Sequence, residues 1–203
     1  MTIKATIWDF SGVLVQPTSR DPHADLAREL GIPPETLMQY FDGTQNWKID
    51  RGLETQADYI WRMVSEQNLD SGAFDLISNF FLTRYILGES LIAFIRSTRP
   101  ALKTALCSNF SDVLRQHINE RWGIADLFDV TIISSEVGLI KPEPQIYQLT
   151  LEQLGVQPGE AILVDDQEKN ILGARAIGMH GIVFENTDQT IRQVKEIIRS
   201  ADN

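Results

Sequence analysis

Cysteine is almost absent: Cys107 is the only one in 203 residues. An internal disulfide is excluded, and a reducing compartment, the cytoplasm, is expected. Cys107 falls in an apolar run with no base beside it, which assigns it to packing. No run of about 18 apolar residues occurs, so no membrane span is expected. Met1–Asp9 enters a strand at once and has no signal-peptide layout. Positive charge is in deficit, with 18 Lys and Arg against 28 Asp and Glu and a formal net charge of -10. That balance argues against a nucleic-acid groove and against an anionic membrane surface. A small anionic ligand stays compatible, because a local cation overrides the global field. The three histidines, His23, His117 and His180, lack metal-ligand spacing. Glycine-rich nucleotide signatures and internal repeats are also missing. Nothing in the sequence addresses oligomeric state.

What is present is a soluble α/β pattern. Hydrophobic residues make up 43%, enough for one core with a small appended unit. Five apolar runs read as strands: Ile3–Trp8, Leu102–Cys107, Val130–Ser134, Ala161–Val164 and Gly181–Phe184. Helical patterns separate all but the first two directly, at Asp112–Trp122, Pro144–Leu154, Glu168–Ile177 and Gln189–Arg199. A parallel sheet with crossover helices follows. The interval between the first two strands is far longer than one crossover needs. It reads as several helices: Ala24–Leu30, Pro34–Tyr40, Thr55–Gln67 and an apolar face through Phe74, Ile77, Phe80 and Phe81. Thr55 with Asp58 resembles a capping box. The expected organisation is an α/β core, residues 1–16 and 86–203, with a helical cap at 17–85. Ile86–Thr98 supplies the crossover helix.

Polar residues recur at the ends of the apolar runs. Asp9 ends the first, where a carboxylate is costly to bury. Ser108 and Asn109 end the second and precede a helix, a place where hydroxyl and backbone N–H groups can meet a phosphoryl oxygen. Lys141 lies in Gly138-Leu139-Ile140-Lys141-Pro142, where Pro142 and Pro144 favour a fixed loop. Asp165 and Asp166 follow the fourth run. Like charges about 4 Å apart repel by on the order of 4 kcal/mol at an effective dielectric of about 20. One lysine is a poor answer to three carboxylates, and a divalent cation is a good one. Hard oxygen ligands select Mg²⁺.

These four motifs, in this order and spacing, resemble the haloacid dehalogenase superfamily, in its branch with a helical cap after the first motif. The run Cys107–Phe184 is similar to sugar-phosphate phosphatases of that branch and to the N-terminal phosphatase domain of soluble epoxide hydrolases. The resemblance implies a Rossmann-like parallel sheet with strand order 5-4-1-2-3. It implies that Asp9 is a nucleophile that forms an aspartyl phosphate. Ser108, Asn109 and Lys141 then bind the phosphoryl group, and Lys141 neutralises both nucleophile and phosphate. Asp9, Asp166 and the Ser11 carbonyl are the implied Mg²⁺ ligands, with Asp165 and Asn170 holding them in place. The expected substrate is a small phosphorylated metabolite.

Ser11 departs from the family pattern, which usually has a second Asp two residues after the nucleophile. A serine hydroxyl is a weak general acid near neutral pH, and losing such a group costs ~10²–10⁴ in rate. The identity of the proton donor is therefore open. In the segment Asn46–Gly52, Trp47, Lys48 and Arg51 either face substrate or form an exposed helix end. Two rival functions stand beside the phosphatase reading. A 2-haloacid dehalogenase shares the nucleophile, Ser-Asn and Lys-Pro elements, but typically carries Tyr at the position of Ser11 and needs no metal. A non-catalytic phosphate-binding protein is the other, and only Ser11 favours it.

Overall fold

A computed structural model describes residues 2–41, 46–99 and 101–201. Among the described residues seven strands are present: β1 (Ala5–Trp8), β2 (Val15–Pro17), β3 (Tyr85–Leu87), β4 (Lys103–Ser108), β5 (Val130–Ile133), β6 (Ala161–Asp165) and β7 (His180–Val183). Five form one parallel sheet in the order β5-β4-β1-β6-β7. Counting only these five, that is the expected order 5-4-1-2-3 read from the opposite edge.

Side chains alternate across each strand, and both faces of this sheet are covered. Ile7, Ala105, Cys107, Ile132 and Leu163 share one core cluster with Ile146, Tyr147 and Ile171, from the helices Pro144–Leu154 and Glu168–Ala176. Trp8, Leu106, Ile133, Ile162 and Val164 face the other cluster, with Leu91, Ile95 and Val194 from the helices Glu89–Thr98 and Thr187–Ala201. This two-sided burial explains why the strands read as continuous apolar runs.

A second, two-stranded sheet lies outside the five apolar runs. β2 and β3 pair antiparallel, with Val15 opposite Leu87 and Pro17 opposite Tyr85. The expected crossover helix therefore begins at Glu89 rather than Ile86. Between the two strands lie the helices Pro22–Leu30, Pro34–Met38, Trp47–Asp50, Gln56–Glu66, Gly72–Ser78 and Phe80–Arg84. Thr55 caps the fourth of these, its hydroxyl accepting from Asp58 N. The expected helix Asp112–Trp122 is shorter and wider. It is helical at Leu114–Gln116, then a π-turn at His117–Arg121.

Candidate active site

Register places the polar residues side by side at the carboxyl ends of the strands. Trp8 is level with Leu106 on β4 and Val164 on β6. Asp9 therefore emerges beside Asp165, and its backbone N–H donates to the Val164 carbonyl at 2.9 Å. Carboxyl ends are where open α/β sheets accept ligands.

Lys141 ties the cluster together. Its Nζ lies 2.9 Å from Asp9 Oδ1 and 2.6 Å from Asp165 Oδ2. All three side chains are buried, at 1%, 9% and 0% exposure for Lys141, Asp9 and Asp165, so little solvent screens these pairs. Asp165 is saturated. Its other oxygen accepts from Gln167 N at 2.9 Å and Asn170 Nδ2 at 2.8 Å. Tyr147 OH donates to the Asn170 carbonyl at 2.9 Å, which fixes the residue behind Asp165. Asp9 Oδ1 also accepts from Phe10 N at 2.7 Å.

Asn109 shows why the loop before the lysine is rigid. Its Nδ2 donates to the Lys141 carbonyl at 2.9 Å, and its Oδ1 accepts from Lys141 N at 2.8 Å. One donor and the oxygen of the amide are thus spent on the Lys141 backbone, while the residue also lines the cleft. Ser108 is buried at the end of β4. Behind the same turn, Ser134 Oγ accepts from Phe110 N at 3.0 Å.

Asp166 completes the group. One oxygen from each of Asp9, Asp165 and Asp166 lies within 4.8 Å of the others. The Gly12 turn makes room for it. Gly12 has φ +79°, and a Cβ there would meet Asp166 Oδ2 at 2.3 Å. Asp166 is exposed as a residue, yet its carboxylate sits low enough that partial burial and the charge of Asp165 raise its pKa. Burial pushes Asp9 up to about 7; Lys141 opposes the shift and Asp165 adds to it. Burial works against the Lys141 ammonium, but Asp9 and Asp165 outweigh it and hold its pKa above the usual lysine value. Both directions express one balance: several carboxylates share a single ammonium. An oxygen-only set with excess negative charge can hold a divalent cation.

A cleft of about 720 Å³ opens above the cluster. Ser11, Gly12, Asn109 and Asp166 line its core side. Asn46, Ile49, Asp50, Gln56 and Tyr59 line the facing side, with Lys169 at the rim. Trp47 and Arg51 are not among the lining residues, contrary to their expected place beside a substrate. Trp47 is 45% exposed, which puts it outside. The Arg51 guanidinium donates to the Gly138 carbonyl at 3.1 Å and pairs with Glu143. The reason is helical phase. Positions 47 and 51 are four apart and share a face, while Ile49 and Asp50 turn toward the cleft. Asp50, in the same Asn46–Gly52 segment, lines the cleft in place of its aromatic and basic neighbours.

Sheet order, the strand-end carboxylates and the lysine loop together define a known class. The chain belongs to the haloacid dehalogenase-like hydrolases; that family's model matches residues 3–178. Bifunctional epoxide hydrolase 2 of Rattus norvegicus is 37% identical over 223 residues, which take in 97% of this chain and 39% of that protein. The chain thus spans well under half the length of its epoxide hydrolase relatives. A phosphatase of Mycobacterium tuberculosis is 27% identical over 197 residues, 94% of this chain and 91% of its own. A family enzyme of Bacteroides thetaiotaomicron, solved with magnesium and inorganic phosphate, shares the fold at a TM-score of 0.76 and 21% identity, covering 89% of this chain and 93% of that one. Among the described residues no helix is long and apolar enough to cross a membrane.

Proposed function

We propose that the chain is a Mg²⁺-dependent phosphatase acting on a small phosphate monoester through an aspartyl phosphate on Asp9. The observation that carries this reading is the buried Lys141 ammonium shared by Asp9 and Asp165, with Asp166 alongside. The phosphatase relative and the fold neighbour solved with magnesium and phosphate support it.

Asp9, Asp166 and the Ser11 carbonyl would hold Mg²⁺, which when bound neutralises phosphoryl oxygens. The donor set fits that ion. It is all oxygen, and Gly12 leaves the space that the Asp166 carboxylate occupies. Asp165 stands behind, because both of its oxygens are already engaged. Lys141 favours the ionised form of Asp9 against its burial, and in that form an oxygen of the carboxylate can attack phosphorus. Asn109 holds the lysine in register through two backbone hydrogen bonds. Phe10, Gly12 and Phe110 N–H are already engaged within the protein, so Ser11 N–H after β1 and the Ser108 hydroxyl at the end of β4 would be the donors for phosphoryl oxygens. We read residues 18–84 as the cap. It roofs the cleft and sets the leaving group that fits.

The dehalogenase reading is disfavoured by Asp166, an extra carboxylate that a metal-free displacement has no use for. The experiment is a screen of phosphorylated metabolites with and without Mg²⁺, on the parent and on Asp9→Asn. Phosphate release that needs Mg²⁺ and is lost in Asp9→Asn supports the proposal. Full activity in EDTA, or halide release from 2-haloacids instead, overturns it.

A further inference from the structure

Position 11 supplies no acid, yet a poor leaving group must depart with a proton. The cleft offers few candidates. His23 is packed between Phe41 and Phe80, with ring centroids 4.9 and 4.8 Å away, and burial lowers its pKa. Tyr40 OH donates to Glu66 Oε2 at 2.6 Å, and Tyr59 OH to the Tyr40 carbonyl at 2.7 Å. Burial pushes the Tyr85 phenol up to about 12. Asp21 caps a helix, accepting from Ala24 N at 2.9 Å. Asp166 belongs to the cation group. Lys169 and Arg20 are exposed cations at the rim. Asp50 is left.

Asp50 is also held in place. The residue after it, Arg51, is fastened to Gly138 and Glu143 of the core. Gly52 lies so close to the core that a Cβ would sit 2.0 Å from the Ser135 carbonyl. The residue before it, Ile49, is buried. The helix Trp47–Asp50 packs on Ser134–Val137, which leads into the Lys141 loop. Asp50 is thus anchored on the same loop that places the lysine, and it lines the cleft that Ser11 and Asp166 also line.

We propose that Asp50 is the general acid and base of the reaction, in the role that position 11 cannot fill. This rests on the phosphatase reading above. In the first half, an Asp9 oxygen bonds to phosphorus and the bond from phosphorus to the leaving oxygen breaks. The Asp50 proton passes to that oxygen, giving alcohol, aspartyl phosphate and an Asp50 carboxylate. In the second half, Asp50 takes a proton from water as its oxygen attacks phosphorus. The bond from phosphorus to Asp9 breaks, releasing inorganic phosphate and restoring both side chains. The environment supports the assignment: burial pushes Asp50 up to about 6, with Lys169 opposing. Lys169 and Tyr59 are the titratable groups facing it from the neighbouring helices. Its own neighbour Arg51 is turned to Glu143.

The test compares two esters at saturating Mg²⁺, 4-nitrophenyl phosphate and 2-phenylethyl phosphate. A nitrophenolate leaves without a proton, and an alkoxide does not. Asp50→Asn should lower kcat/KM for the alkyl ester by ~10²–10⁴ and for the aryl ester by less than ~10-fold. The alkaline limb of the parent's alkyl-ester pH profile should vanish in the variant. Asp50→Glu, which keeps the acid, should retain the parent's leaving-group dependence. Thermal unfolding reports whether each variant is folded. Equal losses on both esters, or no loss on either, overturn the assignment while leaving the phosphatase reading intact. A parent that hydrolyses neither these esters nor any phosphorylated metabolite with Mg²⁺ overturns both.

Discussion

Replacing Lys141 by methionine keeps the length of the side chain and deletes its charge. In the parent, Nζ sits 2.9 Å from Asp9 and 2.6 Å from Asp165. At an effective dielectric of about 20, each pair is worth on the order of 6 kcal/mol of Coulomb attraction. The two carboxylates, with oxygens within 4.8 Å of each other, repel by roughly 3–4 kcal/mol on the same scale. Removing the lysine deletes both attractions and leaves the repulsion. Against this, the cost of burying an ammonium is also removed, and it amounts to several kcal/mol. The net loss expected for breaking such a buried pair is about 3–5 kcal/mol. The loss should also depend on pH. Without the ammonium, the Asp9 carboxyl, already pushed up to about 7 by burial, is raised further in the folded state only. The variant is then closest to the parent in acid and falls away as pH rises through that folded value. Urea unfolding followed by circular dichroism, in EDTA from pH 5 to 8, measures both. Added Mg²⁺ should recover part of the loss by binding the folded state. A loss below about 1 kcal/mol, or one that does not change with pH, would mean that the ammonium is not what balances this cluster.

Two further outcomes follow from the same geometry. Gly12→Ala puts a Cβ 2.3 Å from Asp166 Oδ2 at a backbone with φ +79°. It should cost about 1–2 kcal/mol of stability and weaken Mg²⁺ binding in a calorimetric titration by ~10-fold or more, the scale of losing ligand alignment; unchanged affinity would show that the displaced carboxylate is not a ligand. Asp50→Asn should raise stability above pH 6. The folded pKa of Asp50, about 6 against 3.8, means that its favourable contribution is complete below about 4 and is lost as pH rises through 6. The amide escapes that loss, so a gain of up to about 3 kcal/mol is expected at pH 8 and none at pH 4. A variant that is less stable at pH 8 would contradict it.

The core was readable because its physics is local. Continuous apolar runs marked strands buried on both faces, and the polar residues that ended them fell together once the strands were parallel and in register. Asp9, Asp165 and Asp166 needed no more than that; Lys141, in the loop 138–142 beyond β5, was marked by the family resemblance rather than by the end of an apolar run. The ribbon of β2 and β3 escaped notice because each strand has three residues and no clear alternation. The segment around Asp50 failed for a different reason. Its composition drew attention to Trp47 and Arg51, but a helix of one turn has no periodicity from which to fix its phase. Which residue faces the cleft is decided by contacts with Gly138 and Glu143, almost a hundred positions away. No local pattern encodes those partners.

The ribbon carries a consequence for change in length. The chain departs from the sheet along β2 and comes back along β3, and those two strands are hydrogen-bonded neighbours. Residues 18–84 are therefore the loop of one long hairpin, whose ends stay together whatever lies between them. Doubling a flexible loop costs only about 0.6 kcal/mol in closure entropy. Residues can thus be added or removed in the exposed turns of this excursion, away from the contacts at 51–56, without moving a strand of the parallel sheet. The turn from Asp9 to Leu14 has no such freedom. There one extra residue would shift Ser11 and Gly12 against Asp166, and the carboxylates would no longer share a centre. One stretch of this chain can vary in size while the other is held to the residue.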